Sequence, residues 1–228
     1  MALWSQTGFQ DANSPLMEQL IFFHDHSMFI LTIIMTLVMY MTTLLIMNKF
    51  SCMLISESQK IETMWTIIPS MILLLLALPS LHLLYLLDET NSPLLTIKVI
   101  GHQWYWSYEY SDFLNIEFDS YMTPTENLTL GDYRLLETDH HLIIPMKTNT
   151  RMIISSADVI HSWTIPSLGV KVDAIPGRLN QLMIYPSRPG VYYGQCSEIC
   201  GANHSFMPVS LEVINMKTFI RWLSSMKY

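Results

Sequence analysis

Two long uncharged hydrophobic runs open this chain, and short apolar runs divided by turns fill the rest of it. Ser27 to Met47 holds no charged residue. At about 1.5 Å per residue, a helix of that length spans roughly 31 Å, matching a hydrocarbon core of about 30 Å. Met64 to Leu87 is a second such run, interrupted in character only by Pro69, Pro79 and His82. The prolines would break a helix in water, but helices in a membrane bundle find other partners for the freed carbonyls. The pattern predicts transmembrane helices over about 27–47 and 64–87, within an N-terminal membrane part covering residues 1–93. Two buried helices of a soluble fold are the alternative, and uncharged runs this long are rare there.

From Leu94 onward the pattern changes. The runs 96–100, 141–144, 151–155, 181–185, 191–193 and 209–213 are short and rich in β-formers. Turn signals separate several of them, at Pro145, Ser167 to Gly169, Pro176-Gly177 and Pro189-Gly190. Strands at this spacing predict an all-β sandwich or barrel over 94–228. Phe219, Ile220, Trp222 and Leu223 fall at helical spacing and predict a terminal helix over 216–225.

Composition agrees with this division. Charged residues make up 14% of the 228, against roughly 25% in soluble domains. The net charge of −7 argues against nucleic acid as a partner. The first 48 residues carry Asp11, Glu18 and Asp25 but no Lys or Arg. They lack the basic start of a secretory signal and the Arg-rich pattern of a transit peptide, so a retained, mature N-terminus is expected. The segment between the helices, Asn48 to Thr63, holds Lys49 and Lys60. By the positive-inside rule it faces the cytoplasm or matrix, with both chain termini on the other side.

The densest chemistry lies near the end. Cys196, Cys200, His204 and Met207 fall in the run C-S-E-I-C-G-A-N-H-S-F-M. Three cysteines do not make a disulfide framework. Cys196 and Cys200 could form one disulfide, or join His204 and another His around zinc. Two features favour copper. Met is an uncommon zinc ligand but a familiar weak axial ligand to copper. His161, upstream in D-V-I-H-S-W, would complete a layout of one remote His plus a Cys/His/Met loop. A blue-copper loop needs one Cys; a second could bridge a pair of metals, which suits electron transfer.

These two motifs, H-S-W at 161–163 and C-S-E-I-C-G-A-N-H-S-F-M at 196–207, resemble the copper A signature of the cytochrome c oxidase subunit II family, in its mitochondrially encoded form. The resemblance extends through S-P-L-M-E-Q-L at 14–20, F-H-D-H at 23–26, A-L-P-S-L at 77–81, G-H-Q-W-Y-W-S-Y-E-Y at 101–110 and P-G-R-L-N-Q at 176–181. It implies a two-helix transmembrane hairpin plus a cupredoxin-like Greek-key β domain. It implies a dinuclear copper A centre held by His161, Cys196, the Glu198 carbonyl, Cys200, His204 and Met207. The Glu198 side chain would hold a magnesium ion shared with the catalytic subunit. Electrons would arrive from cytochrome c and leave for heme in the catalytic heme-copper subunit, where oxygen is reduced to water. The place would be the mitochondrial inner membrane, with the copper domain and both termini on the intermembrane-space side.

By the same resemblance, Trp104 is the exposed residue where electrons enter, Arg178 lies near their exit, and Glu62 stands at the entrance of a proton path. On a strand, Trp104, Trp106, Tyr108 and Tyr110 would share one face, and Tyr105, Ser107 and Glu109 the other. Between Glu109 and Asp139 acids greatly outnumber the single base Arg134. Such a field draws a basic partner and raises its on-rate. Tyr105, Glu109, Asp112, Asp119, Asp139 and Asp158 are the expected docking positions for the donor. Three departures from the family pattern stand out. His82 and His141 replace usual arginines, and a neutral His cannot copy a guanidinium's bidentate pairing. Leu114 and Asn115 stand where acids are usual, which thins the docking surface.

Overall fold

A computed structural model of the protein describes residues 5–53, 56–90, 92–113 and 116–226. Leu114 and Asn115, singled out above, lie outside the described residues. Two long helices come first, α1 over Pro15–Met47 and α2 over Gln59–Asp88. Both exceed the predicted spans, and α1 starts well before Ser27. Hydropathy marks where a helix can meet lipid, not where its backbone stops. Ser14 Oγ accepts the Met17 N–H at 3.0 Å, and Pro15 occupies a first position that needs no donor. His24, Asp25 and His26 then continue the helix without entering the apolar stretch. At 33 residues, α1 is roughly 50 Å long, more than a bilayer core requires.

Along both helices the hydroxyls of Thr32, Thr36, Thr42, Thr43, Thr63, Thr66 and Ser70 donate to carbonyls one turn back. That satisfies them without water, as a lipid setting demands. Pro69 and Pro79 lie inside α2 and do not end it.

The remainder is a β domain closed by a short helix. β1 (Leu95–His102), β2 (Tyr105–Tyr110) and β3 (Glu117–Ser120) form an antiparallel meander. β4 spans Leu142–Pro145 and β5 spans Thr150–Ser156. β6 (His161–Ile165) and β7 (Val170–Ala174) pair as a ribbon. β8 (Asn180–Ile184), β9 (Gly190–Gln195) and β10 (Pro208–Ile214) complete the set. One sheet runs β3-β2-β1-β5-β8 and another β4-β10-β9. β1 with β5 and β4 with β10 are parallel pairs, so the chain crosses between layers rather than meandering throughout.

Side chains from both layers meet in one core. Ile97, Val99, Trp106, Tyr108, Tyr110, Trp163 and Leu211 are fully buried there. Polar tips are matched: Tyr110 Oη donates to the Ile143 carbonyl at 2.7 Å, and Trp163 Nε1 donates to Tyr108 Oη at 3.4 Å. Gly194 marks the tightest approach, because a Cβ there would stand 1.7 Å from the Thr164 carbonyl oxygen. α3, over Met216–Ser225, matches its prediction. It buries Phe219 and Leu223, half-buries Trp222, and leaves Ile220 exposed.

The chain divides into two compact units, Gln19–Leu86 and the remainder. Residues 5–18 thus group with the β domain rather than with the membrane part, which the sequence pattern extends over 1–93. The reason is a set of backbone anchors. Asn13 N–H donates to the Ser167 carbonyl at 2.8 Å, and Ser187 N–H donates to the Asn13 carbonyl at 2.9 Å. Ser14 Oγ donates to the Leu168 carbonyl at 2.7 Å.

Candidate metal centre

The loop 196–207 joins β9 to β10, and the Gln195–Pro208 register pair closes its base. Within it, Gly201 has φ +124°, a conformation that L side chains rarely adopt, and His204–Phe206 form one short turn. His161 starts β6 and is fully buried. Its ring lies against Gly101, where a Cβ would meet the imidazole at 2.9 Å. β1 must carry glycine here for the imidazole to keep its place.

The side chains of this loop and His161 converge. Cys196 Sγ lies 3.9 Å from His161 Nδ1, 3.9 Å from Cys200 Sγ and 3.4 Å from the Glu198 carbonyl oxygen. Cys200 Sγ lies 3.5 Å from His204 Nδ1 and 3.5 Å from Met207 Sδ. Donors that each bind one metal at about 2.0–2.3 Å stand roughly 3.3–3.8 Å apart at tetrahedral angles. The separations of 3.4, 3.5 and 3.5 Å fall within that spacing, and the two of 3.9 Å lie just beyond it. His161 and the Glu198 carbonyl flank Cys196, while His204 and Met207 flank Cys200. His161, Cys196, Cys200 and Met207 are buried, His204 is half-buried, and the two sulfur ligand types among them are soft, a setting that favours copper. Cys196 and Cys200 are free thiols, and Cys52 is exposed and likewise free.

The electrostatics also ask for a cation. Burial raises the Cys196 pKa, but contacts with His161, the Glu198 backbone and the Ser162 backbone outweigh it and bring the pKa down to about 6. Burial, aided by the charge on Cys196, pushes Cys200 up to about 12. The surroundings thus favour thiolate at Cys196 and disfavour it at Cys200, and a bound cation would favour thiolate at both. Burial opposes a charge on His161, but bonds to Cys196 and Asp158 prevail and raise its pKa above the ordinary value.

A second layer of residues fixes this one. His161 Nε2 lies 2.9 Å from Asp158 Oδ1. Asp158 also accepts the N–H groups of Gln103 and Val159. Burial works against its charge, yet the bonds to His161, Val159 and Gln103 win and hold its pKa below the usual range. Trp106 Nε1 donates to the Met207 carbonyl at 3.3 Å, so the core grips the loop directly.

Trp104 differs from its expectation. It is half-buried rather than exposed, precedes β2 rather than sharing its inner face, and donates from Nε1 to the Cys200 carbonyl at 3.3 Å. Trp106, Tyr108 and Tyr110 do line the core as expected. Ser107 is buried as well, although it shares the other face with Tyr105 and Glu109. Tyr105 is half-buried, stacked between the rings of His102 and Tyr121 at centroid distances of 4.5 and 4.4 Å.

Several acids already have internal partners. Glu109 pairs with Lys98 at 2.8 Å, so a base from outside the acidic stretch offsets it. Asp112 accepts the Thr96 N–H at 2.6 Å, and Asp139 accepts the Tyr121 N–H at 2.8 Å. Cross-strand pairing puts Glu109, Glu117 and Asp119 on one face of β2 and β3, with Asp119 exposed. The Glu198 side chain is exposed beside the metal loop, and Arg178 is exposed in the turn after β7. Glu62 lies in the first turn of α2 and accepts the Ser58 N–H at 3.3 Å. His82 is exposed on α2. His141 reaches two carboxylates after all: Nε2 lies 2.7 Å from Glu137 and Nδ1 lies 3.6 Å from Glu212.

Gln103, Ser162 and Gly101 shape the site as well, and no local sequence pattern marks them. Only the fold reveals them, because their roles depend on partners far away in the chain.

Comparisons with known proteins agree with this geometry. Residues 95–214 match the family described as cytochrome c oxidase subunit II, periplasmic domain. Residues 2–83 match the transmembrane domain of the same subunit. The cytochrome c oxidase subunit 2 of Drosophila simulans is 59% identical over 225 residues, covering 99% of both chains. That of Aedes aegypti is 57% identical with the same coverage. The crystal structure of the periplasmic domain of subunit II of the Bradyrhizobium japonicum cytochrome oxidase aligns with a TM-score of 0.57 and 42% identity. It covers 61% of this chain and 97% of that one.

Proposed function

This chain belongs to the cytochrome c oxidase subunit II family, and we propose that it accepts electrons for that oxidase at a dinuclear copper A centre. The observation that carries the proposal is the convergence of two thiols, two imidazoles, a thioether and a carbonyl, with the donors divided between the two sulfurs. His161, Cys196, the Glu198 carbonyl, Cys200, His204 and Met207 would hold the metal. A copper pair supplies reversible one-electron transfer with the charge shared over both ions.

The protein's own residues have distinct parts. Cys196 and Cys200 give two thiolates on a fixed loop, and Asp158 orients His161. Trp104 bonds the Cys200 carbonyl and so offers a short path inward from the surface. Tyr105, Glu109, Asp112, Asp119, Asp139 and Asp158 would receive basic cytochrome c; the four aspartates among them are exposed. Electrons would continue to heme in the catalytic subunit, past Arg178, for the reduction of oxygen to water. The exposed Glu198 side chain would hold magnesium with that subunit. Glu62 would stand at the entrance of a proton path.

α1 and α2 are long and apolar enough to cross a membrane. Lys49 and Lys60 between them support a matrix-side connection, with the copper domain in the intermembrane space of mitochondria.

Metal analysis and EPR of the assembled oxidase test the reading. A pair of coppers sharing one unpaired electron is expected, and it should be lost in Cys200→Ser. Zinc, or a single copper with an isolated-ion spectrum, would overturn it.

A further inference from the structure

Gln103 sits in the turn between β1 and β2 and reaches both halves of the ligand set. Its backbone N–H donates to Asp158 Oδ2 at 2.7 Å, while the other oxygen of that carboxylate lies 2.9 Å from Nε2 of His161. Its side-chain Nε2 donates to the Cys200 carbonyl oxygen at 2.8 Å. One residue thus touches the support of a ligand at the start of β6 and the backbone of a ligand in the β9–β10 loop.

Gln103 is exposed as a residue, but its amide is seated closely against Gly201. A Cβ on Gly201 would come within 3.2 Å of Gln103 Nε2 and 3.1 Å of the Trp104 ring. Trp104 Nε1 reaches the same carbonyl at a longer 3.3 Å. Without the Gln103 amide, the Cys200 peptide keeps only that longer bond from the turn. It could then rotate, carrying the Cys200 sulfur relative to Cys196 and His161. Partners that orient ligands from outside govern how tightly and in what geometry a metal is held.

We propose that Gln103 is a positioning residue of the metal centre, locking the Cys200 ligand to the His161 ligand. The proposal rests on the copper reading above. It is specific to hydrogen-bond donation, because the side chain meets the site through one N–H on one carbonyl.

Gln103→Met keeps the length and the backbone bond to Asp158 but removes the side-chain donor. Gln103→Arg restores a donor. Both are compared with the parent in the assembled oxidase, by copper loss to a Cu(I) chelator, by EPR hyperfine splitting and by midpoint potential. In Gln103→Met, copper should be stripped roughly 10-fold more readily, with altered splitting and a shifted potential. Gln103→Arg should return the splitting and the stripping rate toward the parent. Unchanged stripping, splitting and potential in Gln103→Met would overturn the proposal. So would an Arg variant no closer to the parent than the Met variant, or failure of both to assemble, because shape rather than donation would then be at issue. The copper reading is judged on the metal content of the parent, and the Gln103 role on the difference between parent and variants, so the two can fail separately.

Discussion

The two helices and the β domain are both rich in large apolar side chains, and those side chains do opposite things. In α2 no described residue is buried, and Leu74 near its middle is 70% exposed. In β1 and β2, Ile97, Val99, Trp106, Tyr108 and Tyr110 are completely enclosed. The helices are therefore suited to an apolar solvent, with backbone bonds and hydroxyl back-bonds meeting most polar demands inside each segment. The β domain draws its stability from removing side chains from water, and its core also sets the metal loop. Hydrophobicity is an address in the first region and a packing force in the second.

Substitutions can break that contrast. The largest effect is expected from Trp106→Ala. It empties a fully buried site and removes the donor to the Met207 carbonyl, at a cost of about 3–5 kcal/mol. Thermal unfolding of the β domain in the detergent-solubilised chain should show a large drop, together with easier loss of copper. Little change would mean that the core does not support the loop.

Leu74→Lys comes next. A charge at the centre of a membrane helix costs about 3 kcal/mol of insertion free energy. A translocon insertion assay should register it, while Leu74→Ala stays close to the parent. If Leu74→Ala behaved like a core truncation, α2 would be a packed helix and the contrast would collapse.

Ser14→Ala should have the smallest effect, because it tests the joint rather than either region. It removes the cap of α1 and the bond to the Leu168 carbonyl, a loss of about 1 kcal/mol. Hydrogen exchange should show faster opening at Met17 and Leu168 and leave the middle of α1 unchanged.

Much of this architecture was legible in the residue pattern. The uncharged runs marked both helices, and the β-rich runs marked β1, β4, β5, β8, β9 and β10. β7 was missed although Val170 to Ala174 alternates apolar and charged residues, a signal present but short. β3 and β6 were also missed, because Glu117–Ser120 and His161–Ile165 carry polar residues that only pairing partners make intelligible. The start of α1 was misplaced because lipid-matching and helix formation obey different rules.

The sequence by itself determined where helices can cross a membrane, the β-rich character of the domain after Leu94 and a cluster of soft side chains near its end. All of these follow from residue type and local period. The tertiary structure decided what those residues could do together. It brought His161 beside Cys196, and it set Lys98 against Glu109. It sank Trp104 onto the Cys200 carbonyl, held His141 between Glu137 and Glu212, and made Gln103 a bridge. Each is a contact between residues distant in sequence or set by backbone placement, and no local pattern encodes a distance of that kind.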